Sequence, residues 1–138
     1  MDDDRIELRP VATVRSPLTD LAAAPKQADE GAPDAWLVFE PDMLDALDGL
    51  RVGDRVVVLT WLHRADRDVR RVHPRGDDAR PIQGVFSTRS PARPNPIGLH
   101  EVEVLAIDGA RVRVSAIEAI HGTPVVDVKP VLRPVGER

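Results

Sequence analysis

The chain contains no cysteine among its 138 residues. Disulfide bridges and thiolate metal sites are therefore excluded. The four histidines, His63, His73, His100 and His121, form no His-x-x-x-His pair and have no glutamate at ligand spacing, so no metal site is expected. There is no serine elbow, which argues against covalent acyl transfer. A glycine-rich strand-turn-helix phosphate fingerprint is also missing. No apolar run approaches membrane-spanning length, and the opening Met1-Asp2-Asp3-Asp4-Arg5 does not read as a signal peptide. A cytoplasmic protein with no membrane contact is expected. Net charge is −4, which disfavours a nucleic-acid binder working through bulk charge. A local basic patch stays open, because arginines cluster at Arg64, Arg67, Arg70, Arg71, Arg75 and Arg80. Interleaved Asp66, Asp68, Asp77 and Asp78 fit equally well with a solvated charged loop.

What is present is a chain of one domain's length, with 42% hydrophobic and 30% charged residues, enough to bury a core. Short alternating or β-branched runs predict strands at 10–15, 35–40, 55–63, 82–88 and 125–128. Pro41 sits where a first helical residue would, and Met43, Leu44, Leu47 and Leu50 recur at helical spacing, predicting one short helix over 41–48. Residues 64–81 read as a long charged loop. Asp108-Gly109 signals a hairpin. A three-residue loop, Ile107-Asp108-Gly109, keeps the valine faces consistent by pairing Val104 with Val112 and Val102 with Val114, and it sets Glu103 opposite Arg113. About seven short strands and one helix predict an all-β fold, a mainly antiparallel small barrel or sandwich rather than a doubly wound α/β fold.

Two segments are dense in chemistry. Residues 84–98 read Gly-Val-Phe-Ser-Thr-Arg-Ser-Pro-Ala-Arg-Pro-Asn-Pro-Ile-Gly. Pro91, Pro94 and Pro96 bar any helix or central strand and leave an ordered loop carrying Arg89, Arg93 and Asn95. Fixed cationic forks on a stiff backbone suit an anionic ligand, and the same stiffness suits a purely structural connection. Residues 121–130, His-Gly-Thr-Pro-Val-Val-Asp-Val-Lys-Pro, pair a tight turn with Asp127 and Lys129 on one strand face. A salt-bridged strand end and a ligand contact both fit that pair.

Together these segments resemble the TsaA-like, TrmO-type family of S-adenosylmethionine-dependent tRNA methyltransferases. Val14-Arg15-Ser16-Pro17 resembles its opening motif, Pro25-Lys26-Gln27 its Pro-Arg-Gln loop with lysine for arginine, and Trp61-Leu62-His63 its central strand end. The resemblance covers roughly residues 10–130 of a single domain expected to occupy 1–138 without an additional C-terminal domain. It implies a small β-barrel, not a Rossmann-type methyltransferase, and S-adenosyl-L-methionine as cofactor. It implies cofactor contacts from Pro25, Lys26, Gln27, His63, Arg64, Arg89, Leu99, Ile120, His121, Gly122 and Thr123. His121 stands where the family usually has Asp. Arg93, Asn95 and Lys129 are candidates for the substrate, and His63, His121 and Asp127 are the candidate general bases. The resemblance further implies a homodimer and methylation of N6 of threonylcarbamoyladenosine beside the tRNA anticodon, with tRNA as partner. Two alternatives remain: the same cofactor with a small-molecule or peptide acceptor, and a barrel that binds the cofactor without catalysis.

Overall fold

The structure is a computed structural model that describes residues 4–19 and 31–132. Alternation of small apolar and polar residues builds eight strands: β1 Ala12–Arg15, β2 Ala35–Phe39, β3 Arg55–Trp61, β4 Arg71–Val72, β5 Gln83–Gly84, β6 Ile97–Asp108, β7 Arg111–Val114 and β8 Pro124–Pro130. Six of them pair antiparallel in the order β1-β2-β7-β6-β3-β8, and the sheet closes as β8 returns to β1. The closing ladder is short, with Ala12 opposite Val125 and Thr13 opposite Pro124. It is extended by Val11 N to Val125 O at 2.8 Å and Val14 N to Thr123 O at 2.9 Å.

The interior is filled from each of the six strands of the closed sheet: Val14, Leu37, Val56, Val58, Val102, Val104, Val112, Val114 and Val125 are all buried. A six-stranded closure is narrower than the eight-stranded one whose interior side chains just fill. Valine and alanine dominate for that reason, and larger Phe39 and Leu47 lie towards one end with Met43 packed against the core. No helix among the described residues is long and apolar enough to cross a membrane.

The fold class expected from the sequence needs correction. The expected helix at 41–48 is a 3₁₀ turn over Pro41–Leu47, with hydrogen bonds reaching back three residues, such as Met43 N to Glu40 O. Glu40 provides no side-chain cap, and Asp42, Asp45 and Asp48 are poor helix formers. No α-helix occurs among the described residues. The strand expected at 82–88 is only Gln83–Gly84, followed by a 3₁₀ turn over Val85–Ser87. It pairs with β4 in a ribbon separate from the main sheet, so the 64–81 segment is not a plain loop.

The hairpin is also built differently. Asp108 pairs with Arg111, leaving the two-residue loop Gly109-Ala110. Gly109 has φ 58°, as the first position of a type II′ turn requires. The face conflict of a two-residue loop is removed by a bulge between Val104 and Ala106, which brings Val104 opposite Val114. Glu103 consequently pairs with Ser115, and Arg113 instead reaches Asp34 at 3.5 Å.

Leu37, 1% exposed, sits where β2 meets both β1 and β7. Leu37→Ala is expected to cost about 2–5 kcal/mol, read as a lowered urea midpoint with an unchanged slope.

Candidate functional site

Antiparallel order sends the C-terminal ends of β1, β3 and β7 and the N-terminal ends of β2, β6 and β8 to one rim. The connections around 16–19, 61–68, 91–97 and 115–123 therefore meet there, and both long sequence segments belong to that set.

The proline-rich loop is held from inside. Arg93 donates from Nη1 to the carbonyls of Thr88 (3.1 Å) and Ser90 (2.9 Å), and from Nη2 to that of Val85 (3.0 Å). Its own amide donates to Asp66 O at 3.0 Å. Arg67 lies over the Trp61 ring at 5.0 Å and donates to Pro94 O at 2.8 Å and Asn95 Oδ1 at 3.1 Å. Leu62 N donates to Pro96 O at 2.8 Å. The loop after β3 thus grips the loop before β6. Arg93 and Asn95, expected at the substrate, are both engaged in this framework.

The second segment is fastened to β1. His121 N donates to Leu18 O, Gly122 N to Val14 O, and Ser16 N to His121 Nδ1 at 3.2 Å. Buried Thr123 closes the turn by donating Oγ1 to Ile120 O at 2.7 Å, and Gly122 takes φ 88°, a conformation suited to glycine. With Nδ1 accepting, the His121 Nε2 is the ring nitrogen left for other partners.

His63 and Arg64 are exposed at the end of β3, and Leu99 is exposed on the outer face of β6 opposite Leu59. Arg89 is exposed along a groove of about 680 Å³ between the β4–β5 ribbon and the 85–91 loop. Pro25, Lys26 and Gln27 lie outside the described residues. Asp127 and Lys129 stand apart from this rim. They form an ion pair at 3.2 Å, and Asp127 lines a cavity of about 940 Å³ at the opposite end with Phe39, Leu47 and Leu50. The structure therefore gathers His63 and His121 at one rim and separates Asp127 from them. Among the described residues, no group of three His, Asp or Glu is arranged to hold a metal ion.

Sequence reasoning passed over one cluster. Thr60 Oγ1 and His100 Nε2 lie 2.7 Å apart, and His100 Nδ1 lies 2.7 Å from Glu118 Oε1. The carboxylate draws the proton to Nδ1, so Nε2 accepts from the Thr60 hydroxyl. The order hydroxyl–imidazole–carboxylate resembles a nucleophilic triad, but Thr60 is 0% exposed and meets no substrate. Strand alternation was the available signal, since His100 falls in phase with buried Val102 and Val104, and Thr60 with Val56 and Val58. Gly98 pairs with Thr60, and a Cβ there would lie 2.3 Å from Thr60 Oγ1 and 2.7 Å from His100 Nε2. Only glycine leaves His100 room to cross to β3. Glu118, in the connection before the Ile120–Thr123 turn, thereby ties one long segment to the strand issuing from the other.

The sequence pattern of the tRNA-methyltransferase O N-terminal domain matches residues 13–135. The chain belongs to this family. Among similar proteins, a probable S-adenosyl-L-methionine-binding protein of Methanothermobacter thermautotrophicus is 47% identical over 130 residues, covering 94% of this chain and 93% of the relative. An S-adenosyl-L-methionine-binding protein of Archaeoglobus fulgidus is 37% identical over 122 residues, covering 88% and 86%. The crystal structure of TrmO from Pseudomonas aeruginosa superposes with a TM-score of 0.73 at 28% identity, over 99% of this chain and 61% of that one. Another TrmO crystal structure gives a TM-score of 0.75 at 31% identity, over 93% and 58%. The chain thus spans about three fifths of these TrmO structures.

Gly98→Ala is expected to destabilise the domain by about 1–3 kcal/mol through overpacking. Adding Thr60→Ala removes the nearest atom, so denaturation of the double variant should show less than the sum of the two single losses.

Proposed function

We propose that this chain binds S-adenosyl-L-methionine at the rim where its two long segments meet, and that it transfers the methyl group to a nitrogen acceptor. The observation that carries this reading is the meeting, on one rim, of the segment ending at Gly98 and the turn Ile120–Thr123, joined through His100 and Glu118. The relatives named as S-adenosyl-L-methionine-binding proteins, matched over nearly their whole length, support the cofactor.

The donor set at the rim fits that group. Exposed Arg64 suits its carboxylate, and by resemblance so does Arg89, which stands along the ribbon groove. Exposed Leu99 and Ile97 offer apolar surface to a purine. The open Nε2 of His121 suits a ribose hydroxyl. By resemblance, Pro25, Lys26 and Gln27 complete the set. When bound, the cofactor supplies a methyl carbon activated by a sulfonium charge. The work left to the chain is orientation, which accounts for roughly 7–11 kcal/mol of barrier in favourable cases. The loop held by Arg93 and Arg67 provides the stiffness for it. The acceptor nitrogen loses its proton, and exposed His63 is the imidazole at the rim to take it, because the lone pair of His121 at Nδ1 is engaged by the Ser16 amide. N6 of threonylcarbamoyladenosine beside the tRNA anticodon is the acceptor we favour. Association of two copies along the outer face of β6, where Ile97 and Leu99 are 46% and 47% exposed, fits a site near a subunit interface.

A second reading is binding without transfer, favoured by the relatives' being named for binding alone. Calorimetric titration with S-adenosyl-L-methionine is expected to give saturable binding. Arg89→Ala should weaken it about 10- to 150-fold, the equivalent of about 1.5–3 kcal/mol. No binding by folded protein overturns the proposal. Mass spectrometry of tRNA nucleosides from a deletion strain should show loss of methylated threonylcarbamoyladenosine. An unchanged level, with cofactor binding intact, moves the acceptor elsewhere.

A further inference from the structure

We infer that the cavity at the end of the closed sheet remote from the rim is a second small-molecule site, and that it takes an amphipathic amine, with an apolar body inside and a primary ammonium at the lip between Asp48 and Asp54. The inference stands apart from the proposed function and uses none of the residues invoked for it.

The cavity holds about 940 Å³, inside the range of roughly 300–1,000 Å³ that small-ligand pockets occupy. Phe39, Met43, Leu47, Leu50, Val56 and Val128 give it apolar walls. The 3₁₀ turn Pro41–Leu47 caps this mouth without burying any residue of its own, so Met43 and Leu47 stay half covered. The frame is fixed before a ligand arrives. Glu40 N donates to Val11 O at 2.9 Å, Gly53 N to Val104 O at 2.8 Å, Val104 N to Asp54 O at 2.8 Å, and Val131 N to Arg55 O at 3.0 Å. The 48–54 connection forms the lip and carries a carboxylate at each end. Three carboxylates line the cavity, Asp48, Asp54 and Asp127, against one guanidinium, Arg55. Asp127 is engaged internally, since Oδ2 pairs with Lys129 at 3.2 Å and Oδ1 accepts from the Val128 amide at 2.9 Å. Half-buried Asp54 uses only Oδ2, which accepts from the Arg51 amide at 2.9 Å. The Asp48 carboxylate has no partner among the described residues. Asp54 Oδ1 and both oxygens of Asp48 are thus open to a donor, and an ammonium brings three N–H groups and no acceptor. A carboxylate head would meet like charge there. A neutral apolar molecule would take water from Asp54 and return no hydrogen bond.

The test is an amide NMR titration of the full chain with phenylbutylamine, beside phenylbutanol and phenylbutyrate, which keep the body and change the head. The amine is expected to saturate, with shifts centred on the Gly49, Gly53 and Val56 amides. It should bind about tenfold more tightly than the alcohol, as a hydrogen bond to a charged group allows, and the acid should bind most weakly. Combining Asp48→Asn with Asp54→Asn should bring the amine down to the affinity of the alcohol and leave the alcohol unchanged. An asparagine Oδ1 still accepts from the Arg51 amide, so the lip keeps its hydrogen bond in that double variant. Met43→Trp should fill the cavity and weaken all three compounds, and the double variant carries the test even where Met43→Trp does not fold. Saturating S-adenosyl-L-methionine should leave the affinity for the amine unchanged. The assignment is overturned by an absence of saturable shifts at the cavity, by equal binding of the three heads, by an unchanged amine affinity in the double variant, or by competition from S-adenosyl-L-methionine.

Discussion

Arg93 supplies the donors that the proline-rich loop does not have in its own backbone. Three prolines between positions 91 and 96 remove three amide hydrogens, and carbonyls left without partners would destabilise a compact turn. One guanidinium answers the carbonyls of Thr88 and Ser90 and shares that of Val85 with Thr88, and its planar fork loses little freedom in doing so. Everything at the rim is referred to this loop. Arg67, held over Trp61, carries the position of β3 into it, and Gly98 passes its position on to His100 and Glu118. A rigid polar frame of this kind lets exposed groups such as Arg89 stand at fixed positions without help from the core.

Much of the fold was legible where one rule acts alone. The strands expected at 10–15, 35–40 and 55–63 are found as β1, β2 and β3, and burial alternates along each. The failures occur where two rules compete. Around Asp108-Gly109, turn chemistry favoured a two-residue loop and face matching opposed it. The chain resolved the conflict with a bulge four residues away, which no pattern within the turn could announce. At Pro41 the apolar spacing was helical, but a missing cap and three aspartates left only a 3₁₀ turn. At 82–88 the β-branched run was cut short because Val85 enters the buried layer through a turn rather than a strand.

The candidate site divides the same way. Residue types singled out two segments, and strand pairing brought those segments to one rim. Roles within them were harder to read. An arginine two residues from a proline looks alike whether it faces a ligand or its own loop, and only its hydrogen bonds distinguish Arg93 from Arg89. Asp127 and Lys129 were visible as partners on one face, yet strand direction carries them towards the opposite rim. His100 drew no notice among four histidines, although its phase along β6 marked it as inward-facing.

The tip of the β6–β7 hairpin, Gly109-Ala110, lies at the end of the closed sheet remote from the proline-rich loop. It touches none of the framework that steadies that loop. This makes the tip a natural attachment point for a dye, an affinity handle or a solid support. Protein captured there would display the opposite mouth outward and uniformly oriented, so a sensor chip built this way could record small molecules and nucleic acids arriving at one face.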